Sequence, residues 1–156
     1  MTAAVEAVPG LALLTPVLRL RFVREGACEA PRRVNSPGDA ADLFVERLQD
    51  EAQECLEVLT LNMKNEPLGV HQVYRGSTSA SLVKVGEIVR VPLLAGAPSF
   101  ILVHNHPSGD PSPSAEDIAI TKQISEAARL LDLDLLDHLI IGHGRWLSMR
   151  ERGLMG

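Results

Sequence analysis

Apolar and polar positions change period several times along this 156-residue chain, and each change predicts an element. Residues 1–15 are small and weakly patterned, as expected of a loose terminus. Residues 17–24 (VLRLRFVR) set Arg19 and Arg21 against Leu18, Leu20 and Phe22, the period-two pattern of a strand with one wet face. Residues 26–33 read as a connection. Ser36-Pro37-Gly38-Asp39 is a helix start, with Ser at the cap, Pro in the first position and Asp in the third. Leu43, Phe44 and Leu48 mark the face of that helix, which runs to about Asp50. Residues 54–63 (ECLEVLTLNM) predict a strand, residues 62–66 a turn and residues 67–74 a second strand, hence a hairpin broken by Gly76-Ser77-Thr78-Ser79.

Residues 82–95 fit two periods. Val83, Val85, Ile88, Val89 and Val91 favour a strand by type, whereas Ile88, Val91 and Leu94 or Ala95 share a helical face. The helix is the preferred reading, although Pro92 sits awkwardly inside one. Residues 100–103 (FILV) form a short continuous apolar run, the mark of a buried central strand. A helix follows over residues 114–131, with Ile118, Ile120, Ile124, Ala127, Ala128 and Leu131 as its apolar positions. Residues 135–141 predict another strand, residues 142–144 a turn, and residues 145–149 a segment that pairs back. Strands and helices interleave with no repeat and no long linker, which predicts a single α/β or α+β domain around one mixed sheet.

Composition narrows the function classes. Hydrophobic residues make up 46% and charged residues 22%, ordinary for a globular chain with a good core. Aromatics are only 3%, so the core must be mostly aliphatic. The net charge of −5 argues against a broad phosphate-binding surface, while leaving room for a local basic patch around Arg19, Arg21, Arg24, Arg32 and Arg33. The two cysteines, Cys28 and Cys55, lie far apart and outside any CxxC spacing, which argues against a zinc cluster or disulfide framework and points to a reducing compartment. No basic-then-apolar leader and no spanning stretch is visible, so the cytoplasm is the expected location.

The candidate chemistry lies in residues 104–117, HNHPSGDPSPSAED. His104 and His106 are two apart, so on an extended strand both imidazoles point to one side. Ser114 opens the next helix with Asp117 three residues on. S-x-x-D is a capping box that needs no metal, and H-x-H alone is a weak signal. Their conjunction is stronger: two imidazoles leaving a buried strand and one carboxylate on the adjacent helix supply three ligands and leave a fourth position for water. That is the layout of a catalytic rather than a structural zinc site. A general base would come from a carboxylate outside the ligand set, and spacing leaves Glu54, Glu57 and Glu87 open. His138 reads as a hydrogen-bonded core histidine or one supporting a ligand, His71 as a strand-face residue and His143 as an exposed turn residue. Metallo-β-lactamase-like and PHP-type H-x-H patterns do not fit, because Ser108 and Gly109 stand where the former needs Asp and His, and too few histidines remain for the latter.

H-x-H, seven residues beginning at Pro107, then S-x-x-D resembles the JAMM signature of the JAB/MPN metalloprotease superfamily. The fuller string HNHPSGDPSPSAEDIAIT, with LLDHLIIG and ERGL after it, resembles the bacterial RadC-like branch over residues 34–154. The resemblance implies a cytidine-deaminase-like three-layer α/β/α fold with a mixed central sheet. It also implies Zn2+ held by His104, His106 and Asp117, Glu54 as general acid/base, and Ser114 as hydrogen-bond donor to the intermediate. Asp137 belongs to the family pattern without a role that can be derived. The chain divides on this basis into an extension at residues 1–33 carrying one strand, without the helix-hairpin-helix of full-length relatives, and the JAB domain at residues 34–156. Gly86-Glu87 departs from the Arg-Glu pair usual in relatives.

Three functions compete: a zinc peptidase or isopeptidase, a DNA-processing or repair-associated factor, and a non-catalytic scaffold. The complete ligand, base and donor set favours the first, with a protein or peptide substrate and no membrane. Net charge and scarce aromatics count against nucleic acid, and filled ligand positions count against a scaffold. Substrate identity and oligomeric state are not fixed by the residues.

Overall fold

The computed structural model describes residues 17–76 and 83–156. Its elements follow the order α1 (Pro37–Leu48), β1 (Glu54–Leu61), β2 (Pro67–Gly76), α2 (Val85–Ala95), β3 (Ser99–Asn105), α3 (Ala115–Leu130), β4 (Asp134–Ile141) and β5 (Trp146–Ser148). The strands form one mixed sheet in the order β2-β1-β3-β4-β5. β1 pairs antiparallel with β2 and β3, β3 parallel with β4, and β4 antiparallel with β5. The parallel pair needs a crossover, which α3 supplies.

Strand alternation sorts the core into two layers. Leu56 and Val58 of β1, Phe100 and Leu102 of β3 and Ile140 of β4 face α2 and α3, which contribute Ile88, Val91, Ile124 and Ala128. Cys55, Leu59 and Leu61, Ile101 and Val103, and Leu139 and Ile141 face α1, which contributes Ala40, Ala41, Leu43, Phe44 and Leu48. The result is the three-layer α/β/α arrangement expected of the fold, with β3 buried at every position.

Local chemistry sets the element ends. Ser36 caps α1, taking the Asp39 N–H on its side chain while the Asp39 carboxylate takes the Ser36 N–H at 2.9 Å, with Pro37 at the first position. α2 is a helix despite Pro92. Pro92 lies near its end and is buried, and Ile88, Val89 and Val91 pack into the core beneath. Ile88 and Val91 lie on the expected face, continued by the half-buried Ala95, while Leu94 is exposed. Gly96, at φ 63°, ends the helix in the left-handed conformation glycine tolerates.

One expectation fails. Residues 17–24 form no strand, and Val17, Leu18, Leu20, Phe22 and Val23 are exposed. A strand needs a hydrogen-bonding neighbour, and none of the five strands pairs with this segment. The expected loose terminus and most of the break after Gly76 fall outside the described residues.

Asp137 acquires a structural role. It is buried, and its carboxylate accepts the His138 N–H at 2.7 Å, the Ser148 hydroxyl at 2.5 Å and the Arg150 N–H at 3.1 Å. Arg150 in turn donates to the carbonyls of Leu135 and Leu136. Together they fasten β5 and the chain after it to β4. Farther along the same face Glu57, 2% exposed, is held by Arg47 of α1 through bonds of 2.9 and 3.1 Å.

Removing one partner of a buried pair strands the other charge. Arg47→Ala should therefore cost about 3 kcal/mol, the low end for such pairs because water reaches part of the arginine. The double change Arg47→Met with Glu57→Leu should recover most of that loss in urea titrations. A single-variant loss below about 1 kcal/mol would mean the pair behaves as a surface bridge.

Candidate metal centre

Three element ends meet at one edge of the sheet. β1 begins at Glu54, β3 ends at His104 and Asn105, and α3 begins beside them. The β1–β3 register pairs Leu56 with His104, which puts Glu54 just beyond the strand end on the same face. His106 leaves β3 through a tight turn, its N–H bonded to the Ile141 carbonyl and its own carbonyl accepting from Gly109. Gly109, at φ +84°, leaves no room for a side chain: an added Cβ would lie 2.2 Å from the His143 ring.

The expected residues come together. Glu54, His104, His106 and Asp117 each offer a ligand atom, and these atoms lie within 4.8 Å of one another. His104 Nε2 is 3.0 Å from His106 Nε2 and 3.3 Å from Asp117 Oδ1, and His106 Nε2 is 3.4 Å from Asp117 Oδ2. Donors on a tetrahedral zinc with bonds of 2.0–2.1 Å stand about 3.3 Å apart. The two imidazoles and the carboxylate thus fit a divalent ion in both chemistry and spacing. Glu54 Oε1 stands 3.9 Å from His104 Nε2, at the margin of the triangle. The other candidate bases are elsewhere: Glu57 is on the opposite face with Arg47, and Glu87 is exposed on α2.

Electrostatics agree. Burial works to raise the Asp117 carboxyl, but bonds to His104 and His106 outweigh it and hold the group well below the ordinary carboxylate range. The bond to Asp117 raises the His106 imidazole despite partial burial. Both directions describe an electronegative centre that favours positive charge.

Each ligand is held from behind. Asp117 Oδ2 accepts the Ser114 N–H at 2.7 Å and the Ser114 hydroxyl at 2.8 Å, while Ser114 Oγ accepts the Asp117 N–H. Capping and ligand orientation are therefore one arrangement, in a first turn whose dipole favours the anion. His106 Nδ1 lies 2.8 Å from the Asp110 carbonyl, which can only accept, so Nδ1 carries the hydrogen. His104 Nδ1 faces His138 Nε2 at 2.7 Å, and His138 Nδ1 faces Thr121 Oγ1 at 2.6 Å. Burial holds His138 well below the usual imidazole range, hence neutral. His71 and His143 are exposed and outside the group.

Two supporting residues were not singled out by sequence. Asn105, 1% exposed, accepts the Cys55 N–H at 2.7 Å and donates to the Gln53 carbonyl at 3.0 Å, clamping the backbone on both sides of Glu54. Thr121 is fully buried on α3. The only sequence signal for Thr121 is its spacing from Asp117, Ile124 and Ala128 on one helical face, and Asn105 gives no signal beyond standing between the histidines.

Beside the donors runs a cleft of about 520 Å³, with Leu56, Tyr74, Ile88, Leu102 and Ile120 among its walls. The fold and this group define an α/β/α domain with a candidate metal centre where β3 meets α3. The family model for the RadC-like JAB domain matches residues 34–154, and the chain belongs to that family. It is 51% identical over 121 residues to a UPF0758 protein of Roseiflexus sp. (strain RS-1), covering 78% of this chain and 52% of the relative. A UPF0758 protein of Chloroflexus aurantiacus is 43% identical over 134 residues, covering 86% and 58%. One of Clostridium beijerinckii is 42% identical over 123 residues, covering 79% and 54%. The chain spans about half the length of the curated relatives it matches.

A metal that binds only the folded chain stabilises it by mass action. Zinc at a hundredfold excess over its Kd should add about 2.7 kcal/mol in denaturant titrations, and His104→Ala, His106→Ala or Asp117→Asn should abolish that gain. Equal stabilisation of all three variants would place the metal elsewhere. Separately, Asn105→Ala leaves the buried Cys55 N–H unpaired, and should cost about 2 kcal/mol whether or not metal is present.

Proposed function

We propose that this domain is a zinc-dependent hydrolase of the JAMM type that cleaves a peptide or isopeptide amide bond in a protein substrate. The observation that carries the reading is the place of Glu54: a carboxylate at the margin of the donor triangle, on the side that opens to the cleft. His104, His106 and Asp117 would hold the ion. Bound there, zinc supplies Lewis acidity that lets water give up a proton near neutral pH. Glu54 is placed to take that proton and return it to the leaving nitrogen. Ser114 stands beside Asp117 at the helix start, within the cleft wall, as donor to the oxygen that gains charge. The aliphatic wall binds an apolar stretch of substrate and keeps bulk water out.

Electrostatics favour an amide over a phosphodiester. Among the described residues lining the cleft are the carboxylates of Glu54, Glu116 and Asp117, and none is Lys or Arg. A polyanionic backbone would be repelled there. One observation favours a nucleic-acid reading: Arg19, Arg21, Arg24, Arg32 and Arg33 are all exposed in the segment before α1. They lie in sequence outside the residues that carry the chemistry, so the DNA-processing reading stands second. Among the described residues no helix is long and apolar enough to cross a membrane. The free thiols Cys28 and Cys55 support a reducing compartment, and we place the protein in the cytoplasm.

Zinc-loaded protein is to be assayed against a peptide library and against labelled single- and double-stranded DNA. Peptide cleavage is expected, with a preference for apolar residues near the cut. Glu54→Gln should bind zinc and turn over nothing. Ser114→Ala should keep zinc, because the main-chain N–H still holds Asp117, and lose about 10²–10³ in rate. DNA cleavage alone, lost in Glu54→Gln, would reverse the order of the two readings. Loss of zinc in Ser114→Ala would reduce that residue to a cap.

A further inference from the structure

We propose that His138 and Thr121 are positioning residues that hold a hydrogen on His104 Nδ1, so that Nε2 is the nitrogen left to ligate an ion among Glu54, His106 and Asp117. The inference rests on the metal-centre reading above. It follows from the hydrogen count along one buried chain of contacts.

The count starts at Thr121, whose hydroxyl has a single hydrogen. Thr121 Oγ1 is 2.5 Å from the Asp117 carbonyl oxygen one turn earlier. Two oxygens that close need a hydrogen between them, and the carbonyl has none, so the hydroxyl donates. Towards His138 Nδ1, at 2.6 Å, the hydroxyl can then only accept, which puts a hydrogen on Nδ1. His138 is 1% exposed, and its ring nitrogens face Thr121 and His104 rather than a carboxylate, so burial keeps the ring neutral. Its Nε2 is bare and must accept. His104 Nδ1, 2.7 Å away, therefore carries the hydrogen. With Nδ1 carrying a hydrogen towards His138, Nε2 is the His104 nitrogen that can ligate, and it is the atom 3.3 Å from Asp117 Oδ1.

The chain closes on itself. Asp117 offers its side chain to the centre and its main-chain carbonyl to the relay, so one residue anchors two ligands. The two histidines are locked differently. His106 uses the Asp110 carbonyl in its own loop, whereas His104, buried at the end of β3, has to reach through two further side chains. A histidine that merely filled the core would account for the burial of His138. It would not account for an unbroken donor direction ending at a ligand nitrogen.

Two readouts test this without any substrate. Long-range 1H–15N correlation spectra of metal-free protein labelled in histidine should show hydrogen on Nδ1 of both His104 and His138. Hydrogen on Nε2 and not on Nδ1 of either ring overturns the proposal. Zinc affinity, by competition with a chromophoric chelator, should fall about 10–100-fold in His138→Leu. It should fall in the same direction but less in Thr121→Val, a near-isosteric change that carries the test should His138→Leu not fold. His138→Gln, whose amide can both accept and donate, should recover most of the affinity. Unchanged zinc affinity in folded His138→Leu or Thr121→Val overturns the relay, for a purely structural role would move thermal stability alone. Failure of the amidase reading would appear as absent peptide turnover with both readouts intact.

Discussion

Everything at this sheet edge depends on one constraint: polar atoms sunk in an aliphatic core must each find a partner. His104 is 3% exposed and Asn105 1%, and both end the most buried strand of the sheet. Among the described residues no buried side-chain nitrogen or oxygen lacks a hydrogen-bond partner. Meeting that requirement is what orders the centre. The atoms that satisfy the ligands from behind leave their remaining donor atoms pointing at one another, 3.0–3.4 Å apart. Ligand atoms gathered this closely around one point, beside a carboxylate, form a centre that favours positive charge, whether a proton or a bound cation.

The layers make this possible. Alternation along β1 sends Glu54, Leu56 and Val58 to one face and Cys55, Glu57 and Leu59 to the other. Two carboxylates three residues apart thereby acquire opposite fates. Glu57 meets Arg47 of α1 and becomes a structural ion pair, while Glu54 meets the histidines. The parallel β3–β4 pairing has a matching consequence. It sets Leu102 beside His138 and His104 beside Ile140, so His104 and His138 occupy the same face, and α3 drops Thr121 onto them.

Sequence showed much of this wherever the signal was local. The capping boxes at Ser36 and Ser114, the buried run at residues 100–103 and the H-x-H pair each announce themselves within a few residues. The choice among Glu54, Glu57 and Glu87 was not local: it turns on which face of β1 meets which helix, and the family resemblance, not spacing, singled out Glu54. Thr121 hid because a threonine in an apolar stripe looks like a tolerated polar substitution, and only the position of β4 beneath it shows the hydroxyl's partner. Asn105 hid because its partners lie some fifty residues earlier. Residues 17–24 misled for the converse reason. Alternation is necessary for a half-buried strand but not sufficient, since a strand exists only where another backbone offers its hydrogen bonds.

Ser114 shows how far one side chain can be stretched across these levels. Its hydroxyl has one hydrogen, spent on Asp117 Oδ2, and its oxygen already takes the Asp117 N–H. To donate to a reacting oxygen it must turn away from Asp117. That rotation is tolerable because the Ser114 main-chain N–H remains on the same carboxylate oxygen at 2.7 Å. Neutralising Asp117 through a metal bond weakens its hold on the hydroxyl further, since a charge-assisted acceptor loses strength as its charge is shared. In the proposed mechanism the cap and the oxyanion donor are two orientations of one hydroxyl, with the balance between them set by the charge at the centre.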